Sequence, residues 1–217
     1  MPREEKARGI ILRARRYSDT SLIIHWITCE SGLLSTLAKG ALRGKSPFYG
    51  KLDFFYEADF TLLRSTKSTL HLLKEVVPTE THPHLRASIE NLSLASYAAL
   101  LLEHNVEVET PIRLIFGQFR EHLESLKLPG AGPAHILAFE WKFLLELGVA
   151  AREHTAGLTL GSASILHLIA RNPLPAAGRL RPTLEQTREI EQFLARLAGQ
   201  AEIRLPKNRA RLLHPAK

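Results

Sequence analysis

A chain of 217 residues holds one large or two small domains and buries a real core. Its 45% hydrophobic and 24% charged residues exclude a disordered or fibrous chain, and no apolar run approaches the roughly 18 residues that span a bilayer. The net charge of +7, with a pI near 9.8, points to a polyanionic partner, nucleic acid first and an anionic membrane surface second.

The N-terminus, Met1 to Lys6, opens into a strand and lacks the apolar segment of a signal peptide. Cys29 is the single cysteine and permits no internal disulfide, so a soluble cytoplasmic protein is expected. Five apolar runs of strand length follow: Gly9–Arg15, Ser21–Thr28, Leu33–Ala38, Phe54–Leu63 and Leu70–Val77. Each is rich in β-branched or aromatic residues and bounded by Gly, Ser, Asp or Pro. Five strands in so short a span suit a small closed barrel, which leaves no open sheet edge. Pro78 and Pro83 end the strand pattern and mark a hinge, giving domains 1–80 and 81–217.

Beyond the hinge the apolar period changes from two to three and four. Leu85, Ile89, Leu92, Ala95, Ala99 and Leu102 predict one helix of about 20 residues. Thr110-Pro111 predicts the cap and first position of a second, running through Leu126. Ala134–Leu147 predicts a third, stopped by Gly148, and Ser162–Ala170 a shorter fourth. A loop rich in turn residues spans Asn172–Pro182, and Thr183-Leu-Glu-Gln186 has the capping-box form that opens a last helix ending near Gly199. The fold class is therefore α+β, a five-stranded barrel followed by an all-helical domain.

Charge is distributed unevenly along this frame. Residues 1–86 hold 14 Lys and Arg against 9 acids, residues 87–153 hold 5 against 9, and residues 154–217 hold 10 against 4. A basic barrel and a basic tail thus flank an acidic middle, a directed pattern unlike a merely solvated surface. The segment Lys39–Lys51 concentrates Lys39, Arg43, Lys45 and Lys51 among three glycines, with Phe48 and Tyr49 and no acid. That composition suggests a mobile loop that grips phosphate and offers rings to bases. Its alternative is a solubilising loop whose aromatics fold back onto the barrel. Arg13, Arg15 and Arg16 read either as a phosphate-tracking stripe or as a solvated strand face. Arg64, Lys67 and Lys74 flank the next hairpin and read as an extension of the surface or as ordinary hairpin polarity. The tail from Ile203 carries Arg204, Lys207, Arg209, Arg211 and Lys217 without an acid, either a second nucleic-acid contact or a frayed end.

Three ordered segments resemble the RecO family of bacterial DNA repair proteins. They are Gly9-Ile-Ile-Leu-Arg-Ala-Arg-Arg-Tyr-Ser-Asp-Thr-Ser-Leu-Ile-Ile24, Glu30-Ser-Gly-Leu-Leu-Ser-Thr-Leu-Ala-Lys-Gly-Ala41 and Leu92-Ser-Leu-Ala-Ser-Tyr-Ala98. The resemblance covers residues 7 to 125 well and continues more weakly through Phe143–Gly148 and Arg204–Leu213. It implies an oligonucleotide-binding (OB) fold followed by a helical bundle. By the same resemblance the chain would be a recombination mediator needing no ATP. It would bind single- and double-stranded DNA, anneal complementary strands, and help load RecA with RecR and RecF. A further implied partner is the acidic C-terminal tail of single-strand-binding protein, for which Arg113, Arg120, Lys142 and Arg152 are the candidate rim cations. Simple pairing of these four with Glu109, Glu121 or Glu146 is the competing reading.

Many family members carry a four-cysteine zinc site after the helix that ends here at Leu147-Gly148. This chain runs into Val149–Gly157 without a cysteine, and its histidines show no paired ligand spacing, so no metal is expected. No nucleotide-binding loop, nucleophile elbow or clustered carboxylates appear, so neither enzyme chemistry nor a cofactor is expected. Two other classes stay open on the residues alone: an RNA-binding OB protein of translation or RNA processing, and a protein-interaction adaptor whose charge only aids solubility.

Overall fold

The computed structural model describes residues 3–150 and 155–214. The chain folds as two compact units: Met1–His82 with Val106–Phe116, and Pro83–Asn105 with Gly117–Lys217. The return of Val106–Phe116 to the first unit interrupts the simple division at the prolines.

The first unit is a closed barrel of five strands, β1 Glu4–Arg16, β2 Leu22–Thr28, β3 Gly32–Ala38, β4 Glu57–Leu63 and β5 Leu70–Glu80, in the order β1-β2-β3-β5-β4. Every pairing is antiparallel except β3 with β5. This is the connectivity of the OB fold. The long β1 closes it by pairing first with β4, from Glu4↔Leu63, and then with β2, as far as Arg16↔Leu22. Gly9 lies where β1 changes partners, and a Cβ there would stand 2.7 Å from the Ile27 carbonyl oxygen, so only glycine fits. Inside, Trp26 stacks on Phe60 at 4.1 Å between ring centroids, among Ile11, Ile24, Leu34 and Leu62. The Trp26 Nε1–H donates to Thr36 Oγ1 at 2.8 Å, which satisfies the indole within the apolar core.

Three strand boundaries differ by three residues or more from the sequence expectation, the first being β1, which begins at Glu4 and not at Gly9. β4 begins at Glu57, since Phe54, Phe55 and Tyr56 are spent on a turn in which the Phe55 N–H donates to the Ile11 carbonyl. β5 runs through Pro78 to Glu80. Beyond Leu72 it is paired only with β4, and Pro78 stands at a register shift opposite Glu57 and Ala58, where a missing N–H is tolerated.

The second unit comprises a 3-10 turn, Pro83–Leu85, and the helices α1 Ile89–Asn105, α2 Arg113–Ser125 from Gly117 onward, α3 Pro133–Glu146, α4 Leu160–Arg171, α5 Leu174–Ala177, α6 Leu184–Gln200 and α7 Arg209–Leu213. α3 is the hub. It packs against α1, α4, α5, α6 and α7 and buries nearly its whole circumference. Trp141 lies within it, its Nε1–H donating to the Leu166 carbonyl at 2.9 Å. The Thr183–Gln186 capping box forms as expected, and Gly148 takes a positive φ of 69° just past α3.

α1 starts after the 3-10 turn, capped by the Ser88 hydroxyl, and buries Leu94, Ala95, Ala98, Leu101 and Leu102 while leaving Ile89 exposed. α2 starts at Arg113 and not at Pro111, because the preceding backbone is committed to the barrel. The Glu109 N–H donates to Leu33 and the Ile112 N–H to Cys29. The turn-rich loop at 172–182 contains the short α5.

Among its described residues the basic tail is not wholly exposed. Arg209, at the start of α7, is buried, and its Nε and Nη2 donate to the two carboxylate oxygens of buried Glu140, each at 2.7 Å. Tyr97 donates its hydroxyl to the same carboxylate, and Glu191 joins Arg209 to His214. Burial works against the Arg209 charge, but the bonds to Glu140 outweigh it and raise the guanidinium pKa further. Of the two readings of the tail, a nucleic-acid contact does not hold for Arg209: this side chain is occupied within the fold. Arg204, Lys207 and Arg211 are exposed, and Lys217 lies outside the described residues.

His122 is fully enclosed beside Phe139, and burial, reinforced by the nearby His135, lowers its pKa to about 3. Burial lowers His135 as well. His122 is therefore neutral in the fold where the unfolded chain takes up a proton near pH 6.5. The unfolded state thus binds more protons below that pH. Stability contributed by neutral His122 is full above about pH 6.5 and falls by up to about 1.4 kcal/mol per pH unit as pH drops toward 3. Urea denaturation at pH 7 and pH 5 measures this, and His122→Leu is expected to flatten the slope.

Candidate nucleic-acid interface

A β-bulge determines what β1 presents at its far end. Register shifts between Ile11 and Arg13, with Ile11 and Leu12 both buried. Before the bulge the odd positions Ala7 and Ile11 pack into the barrel. After it the even position Ala14 does. Without that extra residue Arg13 and Arg15 would point inward. With it they stand on the exposed face, and Arg16 is exposed at the strand end.

The segment after β3 meets the same end of the barrel. The Leu42 N–H donates to the Thr20 carbonyl at 2.9 Å, and the Gly40 N–H to Ser21 Oγ at 3.2 Å, tying it to the turn that follows Arg16. It is built of successive hydrogen-bonded turns, with Arg43 bonded back to Gly40, Ser46 to Arg43, Tyr49 to Ser46 and Lys51 to Phe48. Gly40 and Gly50 both take φ of 70°, a conformation that glycine adopts without strain. Lys39, Arg43 and Lys45 are exposed, Lys51 is half-exposed, and Tyr49 is 78% exposed. Phe48 is only 6% exposed and belongs to the barrel core. Its expected role as a base-stacking ring is corrected: it is the plug that anchors the segment.

Phe48→Ala is therefore expected to cost about 3–5 kcal/mol of stability, whereas Tyr49→Ala stays within about 0.5 kcal/mol. Thermal or urea unfolding of the two variants checks the order, which reverses if Phe48 is the exposed ring.

Arg64 is also withdrawn from the surface expected of it. It pairs with Glu5 at 2.8 Å and with Glu109 at 3.0 Å, and the Glu5 carboxyl is held below its ordinary range by the Arg64 hydrogen bond. Glu109 also meets buried His71 at 2.8 Å. Arg64 follows Leu63, the partner of Glu4, and exposed Lys67 lies in the turn beyond. Both are thus at the opposite end of β1 from Arg13, Arg15 and Arg16. Two exposed aromatics escaped the sequence reading: Tyr17, 59% exposed in the turn after Arg16, and Phe54, 44% exposed. An aromatic placed directly after paired arginines was the available signal for Tyr17.

The four rim candidates do not share one environment. Arg113 belongs to the barrel unit and pairs with Glu30 at 2.8 Å, both side chains well exposed. Arg120 is exposed on α2 and Lys142 half-buried on α3, both in the helical unit. Arg152 lies outside the described residues.

Among the described residues no three His, Cys, Asp or Glu side chains gather as metal ligands, and the stretch after α3 offers no thiolate. The four-cysteine zinc set that the resemblance implies cannot be supplied by a chain with Cys29 as its single cysteine. Chelator treatment is expected to leave its unfolding midpoint and DNA affinity unchanged. Stoichiometric zinc in elemental analysis, lost together with the fold, is the contrary result.

Two family models match the chain: Recombination protein O N terminal over residues 1–82 and Recombination protein O C terminal over residues 86–154. The DNA repair protein RecO of Rhodopirellula baltica is 34% identical over 140 residues, 64% of this chain and 52% of that protein. The DNA repair protein RecO of Syntrophus aciditrophicus is 30% identical over 118 residues, covering 54% and 46%. That of Haemophilus influenzae strain 86-028NP is 33% identical over 147 residues, covering 66% and 59%. The chain thus matches about half the length of these curated relatives.

Proposed function

From the premise that the chain belongs to the recombination protein O family, we propose that it is a DNA-binding mediator of recombinational repair. The observation that carries this reading is the end of the barrel where Arg13, Arg15, Arg16, Lys39, Arg43 and Lys45 are all exposed, beside Tyr49. The segment from Lys39 to Lys51 contains no acid. Such a surface tracks phosphates and stacks bases with little regard to sequence.

Annealing needs no active-site chemistry. Cations neutralise the repulsion between two phosphate backbones, the protein holds the strands close, and base pairing supplies the driving free energy. In this role the chain binds single- and double-stranded DNA in the cytoplasm, meets RecR and RecF, and helps place RecA on strands coated by single-strand-binding protein. Among the described residues no helix is long and apolar enough to cross a membrane.

A strand-annealing assay with complementary oligonucleotides coated by single-strand-binding protein tests the proposal, with acceleration over the protein-free rate expected. Tighter binding to RNA than to DNA of the same sequence favours the RNA-processing reading instead, and binding to neither favours an adaptor. Capture of the acidic tail of single-strand-binding protein by Arg113, Arg120, Lys142 or Arg152 is part of the proposal. Titration of a labelled tail peptide against single alanine variants checks it, and at least one of the four is expected to weaken binding.

A further inference from the structure

Within the charged end of the barrel lies a cavity of about 390 Å³, and its lining differs from the surface around it. Its depth is apolar. Phe48 is part of the barrel core, and Leu22, Leu52 and Tyr56 pack against that core from the edge. Its mouth is lined by Leu42, 41% exposed, and by Tyr49, with Arg43 beside them. Asp53 is the single acid among the lining residues.

Electrostatics and solvation separate the candidate occupants. A phosphate placed inside would leave water for an apolar floor and face the Asp53 carboxylate, both unfavourable. A nucleobase brings an apolar face for Leu42 and Tyr49 and amino or imino N–H groups for a carboxylate acceptor. Its own phosphate then stays outside, where Lys39, Arg43 and Lys45 stand exposed. Bases in a duplex are stacked and paired, so they enter such a cavity only after extrusion.

We propose that this cavity receives one unstacked nucleobase of a single strand, and that it gives the chain a hold on single-stranded DNA beyond its grip on phosphates. The proposal rests on the DNA-binding reading and specifies its site. Leu42 and Tyr49 are the contact residues at the mouth. Truncating either spares the barrel core, since neither Leu42 nor Tyr49 belongs to its cluster of buried residues.

The test compares the full chain with Leu42→Ala and Tyr49→Ala on a normal oligonucleotide, a duplex, and a strand carrying a run of abasic deoxyribose-phosphates. Each variant is expected to bind the normal strand about tenfold more weakly or worse, with the salt dependence of binding unchanged and duplex affinity held within about twofold. The wild-type chain is expected to lose a similar factor on the abasic strand, and the variants to lose little more. Equal wild-type affinity for normal and abasic strands overturns the cavity alone and leaves the DNA-binding reading standing. So does a loss in the variants that is as large on duplex as on single strands. A chain that binds none of the three DNAs overturns both.

Discussion

Replacing Lys39, Arg43 and Lys45 together by glutamate is expected to weaken binding to single-stranded DNA by about a hundredfold or more at about 0.1 M salt. All three side chains are exposed on one segment that Phe48 pins to the core, so the substitutions alter charge without opening the barrel. Each phosphate contact contributes about 0.7 to the slope of log affinity against log salt for single strands, so three lost contacts flatten it by about 2. Reversal adds repulsion to that loss. Binding titrations across a salt series separate the charge effect from a folding defect, and the unfolding midpoint serves as control. An unchanged slope removes the segment from the interface. Arg64→Glu, by contrast, breaks the pairs with Glu5 and Glu109 within the barrel and is expected to lower stability more than the salt slope.

Arg209→Ala is expected to destabilise the helical unit by about 3–5 kcal/mol, because it strands the buried Glu140 carboxylate without its cation. The bidentate pair at 2.7 Å is what fastens α7 to α3, and the Tyr97 hydroxyl, still donating to that carboxylate, brings no compensating charge. Arg204→Ala, Lys207→Ala and Arg211→Ala, in the same basic run but exposed, are expected to change stability by no more than about 0.5 kcal/mol. Removing both charges with Arg209→Met and Glu140→Gln is expected to recover much of the loss, since the desolvated carboxylate is then absent. Urea denaturation of the set measures all five effects. A neutral Arg209→Ala would mean the pair makes no net contribution to stability.

The strands, the barrel and most helix ends were legible in the sequence because each depends on nearby residues. Alternating Val, Ile and aromatic residues select a half-buried strand, and the Thr183–Gln186 box and Gly148 terminate helices through bonds within a turn. The exposure of Lys39, Arg43 and Lys45 follows as locally, from the cost of burying an unpaired charge. Sequence did not distinguish Phe48 from Tyr49, because two adjacent rings have equal claim to a core until its shape is known. Nor did it show the bulge at Leu12 that turns Arg13 and Arg15 outward, or the capture of residues 106–116 by the barrel. Arg64 and Arg209 looked like any other basic surface residue. Their partners Glu5 and Glu140 lie 59 and 69 positions away. Composition and periodicity thus determined a basic five-stranded barrel with helices after it, and the family resemblance implied its OB connectivity, while burial and ion pairing waited on chain folding. Only closure of the core sets which distant groups share a low dielectric and must satisfy one another.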